Sequence, residues 1–155
     1  RTPGGRSLQV LVPEPAADRA VDTDRIVVRP SATEIAYFSG AQWADRLPRL
    51  VQSRLVDVLQ ASGRFRAAGR PGQGLAIDRQ VVTEIRAFDY EASAKRVVIA
   101  LSVKLMDDRT GRVIAAEAFR AEEPSGDDAK SAVAAFDRAQ GRLLPEIVAW
   151  VAKRG

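Results

Sequence analysis

The sequence predicts an α+β domain, with an antiparallel sheet that contains a three-strand meander and two main helices packed on one face. Three observations carry this. A helical apolar stripe runs from Asp45 to Ser62, strict strand alternation runs from Arg96 to Met106 between two further strand-like runs, and a second helical stripe runs from Asp127 to Lys153. With 155 residues, one domain spanning 1–155 is the expectation, structured over about 8–153 with a flexible first few residues. A chain of this size buries roughly 70% of its unfolded surface, enough for a core without disulfide staples.

Leu8 to Val12 is a short apolar run ended by Pro13 and Pro15, and Arg25 to Arg29 is another ended by Pro30; both read as strands. Glu34 to Phe38 reads as a third, ending at Ser39 and Gly40. In the first helix, Leu47, Leu50, Val51, Leu55, Val58 and Leu59 recur at spacings of three and four and share one face. Asp45, Arg46, Arg49, Gln52, Ser53, Arg54, Asp57 and Gln60 fill the other. Pro48 is tolerated near a helix start because the donors of the first turn lack intrahelical partners, so the helix begins around Asp45. Gly63 supplies the left-handed residue that closes it after Ser62.

The loop GRPGQG at 69–74 is glycine-rich but lacks the GK[ST] ending of a phosphate-cradling loop, and reads as a connector. Leu75 to Phe88 shows a looser alternation that Arg79 interrupts, as at a bulge or an edge. From Arg96 to Met106 the odd positions Val97, Ile99, Leu101, Val103 and Leu105 are all apolar, whereas the even ones are mostly small or polar. The first face requires helices to cover it. The turn DDRTG at 107–111 leads into Val113 to Phe119, and Asp107 and Asp108 read as solvated turn formers, not as an acid and base pair. The last helix has Ser125 or Asp127 to cap it and a buried stripe of Val133, Phe136, Leu143, Leu144, Ile147 and Val151. A kink or break is expected between Gly141 and Pro145, and Trp150 sits at the edge of the stripe.

Composition removes whole classes of mechanism. The chain has no cysteine and no histidine, which excludes thiol nucleophiles, Ser-His-Asp triads, and zinc or haem ligation through those residues. No catalytic, cofactor-binding or metal-binding residues are assigned. With 46% hydrophobic and 28% charged residues and no apolar run near the ~20 residues needed to span a bilayer, it reads as a soluble globular domain. The chain opens at Arg1 without a signal-like stretch and reads as a mature region or a trimmed piece of a longer chain. Its net charge is +4, and its densest basic stretch is Arg64, Arg66 and Arg70. No recognition-helix or RNA-binding aromatic pattern accompanies that stretch, so no nucleic acid partner is expected.

The succession DRIVVRP, EIAYFSGAQWADRLPRLVQSRLVDVLQASGRF, RAFDY, VVIALSVKLMDDRTGRVIAAEAF and VAWV resembles the ABC-type transport auxiliary lipoproteins, the family of the paraquat-inducible protein C, over about residues 8 to 153. The most specific part is Trp43, Leu47, Pro48 and Leu50 leading into a helix that ends in SGRF. The resemblance implies a non-enzymatic lipoprotein on the periplasmic face of the bacterial outer membrane, working beside an ABC transporter and a mammalian-cell-entry (MCE) domain protein that move lipids between the two membranes. The family's anchor is an acylated cysteine after a signal peptide, a residue type this chain lacks. No cofactor is implied.

On this reading Tyr37, Phe38 and Trp43 are interface candidates because aromatic side chains bury large area at low entropic cost; the plainer alternative is that they cap the core. Arg64, Arg66 and Arg70 are candidates for lipid phosphates or an acidic partner, against the plainer alternative of a solvated face. The face holding Val98, Ala100, Ser102 and Lys104 permits a homo-oligomer in which it lines a cavity. The alternative function is a standalone periplasmic module that binds a small ligand or a cell-wall component.

Overall fold

The computed structural model describes residues 8–74 and 76–155. Residues 1–7, expected to be flexible, and Leu75, the expected start of one strand, lie outside the described residues. In chain order the elements are β1 (Gln9–Leu11), β2 (Ala16–Ala17), β3 (Arg25–Ser31), β4 (Glu34–Gln42), α1 (Leu47–Ala61), β5 (Ala67–Gly69), β6 (Arg79–Glu91), β7 (Arg96–Asp107), β8 (Val113–Pro124) and α2 (Ala129–Arg154).

The sheet has eight strands and is mixed, which corrects the expectation of an antiparallel sheet. Among the described residues, four strand pairings are parallel: β1–β5, β1–β6, β2–β6 and β3–β6. Three are antiparallel, β3–β4, β6–β7 and β7–β8, so the central block supplies only part of the sheet. One edge of β6 pairs with β7 along its length, and its other edge takes β1, β2 and β3 end to end. The physical reason is the crossover: α1 lies between the early strands and β6, and a helical connection lets the chain return in the same direction, which a tight turn cannot do.

A bulge at Arg86 shifts the register of β6 between Ile85 and Ala87. Before it Val81, Thr83 and Ile85 are buried, and after it Phe88 and Tyr90 take over the inward parity. This explains the loose alternation of that segment; Arg79 is simply its first residue. β4 runs past the expected end at Gly40, whose φ of +74° fits the irregular pairing between Arg25–Gln42 and Val27–Tyr37.

α1 starts at Leu47 with Pro48 in its first turn, and Gly63 at φ +66° follows the C-cap Ser62. Its buried face differs from the expected stripe: Val56 and Gln52 are buried, whereas Leu50 and Val58 are half-buried. Gln52 is polar yet satisfied, because its Nε2 donates to the Val12 carbonyl at 2.9 Å. α2 is continuous through Pro145, so the expected break is absent; Leu143, Leu144, Ile147 and Val148 hold both sides of the proline to the core. Asp128, not Asp127, caps it by accepting from the Ser131 N–H at 2.7 Å. Residues of both helices and the inward rows of β6 and β7 form one core cluster. Among the described residues the other sheet face carries no helix.

Candidate functional site

The helix-free sheet face divides into two zones along the strands. Toward the β6–β7 hairpin, Val27, Asp89 and Val98 lie in one cross-strand row and are each 1% exposed, although they face away from the main core. Asp89 is paired with Arg29 Nε at 2.9 Å. Burial pushes the Asp89 carboxyl above its ordinary value, and the Arg29 guanidinium offsets part of that. Arg96 bridges Glu91 and Glu122 at 2.7 and 3.0 Å, and Arg120 also reaches Glu122 at 2.8 Å. The hydrogen bond from Arg120, reinforced by the charge of Arg96, holds the Glu122 carboxyl below its usual range. This zone is charged but internally matched.

Toward the other end of the strands the same face becomes a groove of about 450 Å³. Two cross-strand rows form its floor: Val82, Lys104 and Ala116 in one, Glu84, Ser102 and Ala118 in the next, with Ala16 of β2 beside Glu84. Alanine and serine keep the floor low because they carry at most one heavy atom beyond Cβ. Glu84 is bonded to Arg86 at 3.3 Å. Lys104 is exposed and has no ion-pair partner among the described residues. It is therefore a lone cation in a shallow trough of mostly small side chains, a surface that fits a contact. Among the described residues no group of three or more Asp or Glu is placed to hold a metal ion.

The expected interface aromatics separate. Phe38 faces the core, with its ring 5.7 Å from Tyr90, and Trp43 meets Phe88 and Phe136 edge-on at 5.7 and 5.5 Å. Tyr37 shares the row of Val27 and Asp89 on the helix-free face; Arg25 stacks over its ring at 4.1 Å and its hydroxyl donates to the Ala20 carbonyl at 3.2 Å. Arg64, Arg66 and Arg70 are exposed around the end of α1 and β5; Arg70 Nη1 donates to Ser53 Oγ at 3.4 Å, and none forms an ion pair with a described residue. Asp107 is a turn former: the N–H groups of Thr110 and Arg109 donate to its carboxyl and lower its pKa. The Arg25–Tyr37 stack escaped the sequence reading because it depends on an irregular strand register that local alternation does not encode.

The sequence matches the model of the ABC-type transport auxiliary lipoprotein component over residues 1–148. The chain belongs to that family. The family is one of transport auxiliary components, and the chain carries neither cysteine nor histidine. It is 32% identical over 146 residues to protein bll6063 of Bradyrhizobium diazoefficiens, covering 93% of this chain; the chain spans only 39% of the length of that relative. Protein XCC0632 from Xanthomonas campestris has a similar crystal structure, at TM-score 0.90 and 28% identity, covering 100% of this chain and 90% of that one. PelC from Paraburkholderia phytofirmans, crystallised as a dodecamer, shares the fold at TM-score 0.60 and 14% identity, covering 97% of this chain and 94% of its own. Among the described residues no helix is long and apolar enough to cross a membrane.

Proposed function

We propose that the protein is a periplasmic auxiliary lipoprotein subunit that works beside an MCE-domain protein and its ABC transporter in moving lipids between the inner and outer membranes, anchored to the periplasmic face of the outer membrane. The family match over residues 1–148 carries this reading. The subunit acts by contact: its helix-free face, with Tyr37 at one end and Lys104 at the other, meets the partner or a neighbouring copy. Self-association is part of the proposal. PelC, which has the same fold, is a dodecamer, and here β8 presents a free outer edge with Val113 and Ile114 exposed at its start.

The groove also favours a second reading, a standalone module that binds a small ligand or cell-wall component there, since about 450 Å³ falls within the usual range of small-molecule sites. Capture of an MCE-domain protein from the same organism separates the two. The transport reading predicts binding by the wild type and a loss of about tenfold or more in Lys104→Glu and Tyr37→Ala. Failure of the wild type to bind that protein rejects the transport reading.

A further inference from the structure

Five segments that are distant in sequence meet at the end of the sheet where Leu8 joins the fold. The Leu8 carbonyl accepts from the Arg66 N–H at 2.8 Å, Gln9 exchanges hydrogen bonds with Asp78, the Asp108 N–H donates to the Asp78 carbonyl at 3.0 Å, and Arg79 Nη2 reaches the Gly155 carbonyl at 3.5 Å. The end of α1, the starts of β1, β5 and β6, the β7–β8 turn and the end of α2 are thereby brought to one place. Arg64, Arg66, Arg109, Arg112, Lys153 and Arg154 are all exposed there, without ion-pair partners among the described residues. Among the described residues the other basic residue there is Arg79, which pairs with Asp107 at 3.4 Å.

Among the described residues, seven basic and three acidic ones, Asp78, Asp107 and Asp108, therefore sit at this end, an excess of four positive charges. The carboxylates are already occupied, Asp78 by the Gln9 N–H, Asp107 by its turn, and Asp108 by Gln80 Nε2 at 2.6 Å.

We propose that this Leu8 end is a docking surface for the headgroups of an anionic lipid bilayer. Two observations favour a bilayer. The unpaired cations come from three separate segments, the α1–β5 loop, the β7–β8 turn and the end of α2, and spread over an end face, where a peptide-binding site would need a groove; and Leu8, the first described residue, on the side where a lipoprotein carries its anchor, lies at that same face. The inference rests on the lipoprotein reading only for that orientation. Attraction to an anionic surface is worth about fivefold in affinity per basic residue close to it, and is screened within roughly 10 Å at 0.1 M salt. Beside a lipid anchor, it orients the subunit on the membrane surface.

Flotation of the protein with phosphatidylcholine vesicles, with and without phosphatidylglycerol, tests this. The expected result is flotation with the anionic vesicles alone, weakened by salt, and at least about tenfold weaker for Arg64→Glu combined with Arg109→Glu. Lys130→Glu at the opposite end of α2 should float like the wild type. Unchanged binding by the double variant, equal loss in Lys130→Glu, or equal affinity for soluble polyglutamate, which would indicate an acidic protein partner, would each overturn the proposal. The double variant should still capture the MCE-domain protein in solution, so failure of the vesicle test leaves the transport reading standing and the converse also holds.

Discussion

Asp89 and Asp127 show how position sets the sign of a carboxylate's contribution. Tyr90 donates to Asp127 and Lys95 Nζ reaches it at 2.9 Å, so its carboxyl is held below the usual range, first by the tyrosine and then by the lysine. The same contact and burial push Tyr90 up to about 12. In the acid range the unfolded chain binds the Asp127 proton more tightly than the folded one. Asp127 thus stabilises the fold above the unfolded pKa, and this is lost as pH falls through the lowered value. Asp89 has the opposite sign, because the buried carboxyl holds its proton more tightly in the folded state. Urea titrations across the acid range should therefore show a shallower loss of stability in Asp127→Asn and a steeper one in Asp89→Asn. Slopes that move together would contradict the assignment. At this scale the sequence is a partial guide: Asp127 stands out as a helix-start residue, but the structure gives the cap to Asp128 and ties Asp127 to the β6–β7 hairpin.

Elements with a strong period were legible, and their relations were not. β7 and both helices follow from periodicity because each buries one continuous face, whereas β1, β2 and β5 have two or three residues each and take their direction from partners far along the chain. Pairing direction is a property of the crossover, so an antiparallel sheet was the wrong inference from correct strands. The bulge at Arg86 likewise hid which residues of β6 point inward. Periodicity puts Gln52 on the polar face, where a glutamine is ordinarily solvated; here it fastens α1 to the Val12 carbonyl between β1 and β2. Gln52→Ala should cost about 2 kcal/mol in chemical denaturation, because it leaves a buried carbonyl without a donor, whereas Arg54→Ala, which removes an exposed pair with Asp137 at 3.3 Å, should cost under about 0.5 kcal/mol. Equal effects would show that Gln52 does not tie the helix to the sheet.

At the scale of the molecule, the helices occupy one side of the sheet, leaving a side whose hairpin zone is electrostatically matched and whose groove holds an unpaired lysine. The charged groups of a matched zone add little to association, since they already have partners; a lone cation over small side chains is available to a new one. The alternation of β7 placed Lys104 and Ser102 on this face in advance, but the groove needs β2, β6 and β8 in register and is a property of the assembled sheet. The clustering of cations at the Leu8 end is similarly invisible along the chain, where Arg64 and Arg109 are far apart. The four lysines report on distinct surfaces: Lys104 on the groove, Lys153 on the Leu8 end, Lys130 on the outside of α2 and Lys95 at the hairpin. Amine labelling of the free protein and of its complex with the MCE-domain protein therefore tests the central claim most directly. Lys104 should be labelled in the free protein and protected in the complex while Lys130 stays reactive; equal labelling of Lys104 in both, or protection of Lys130 in its place, would show that the groove is not the contact surface.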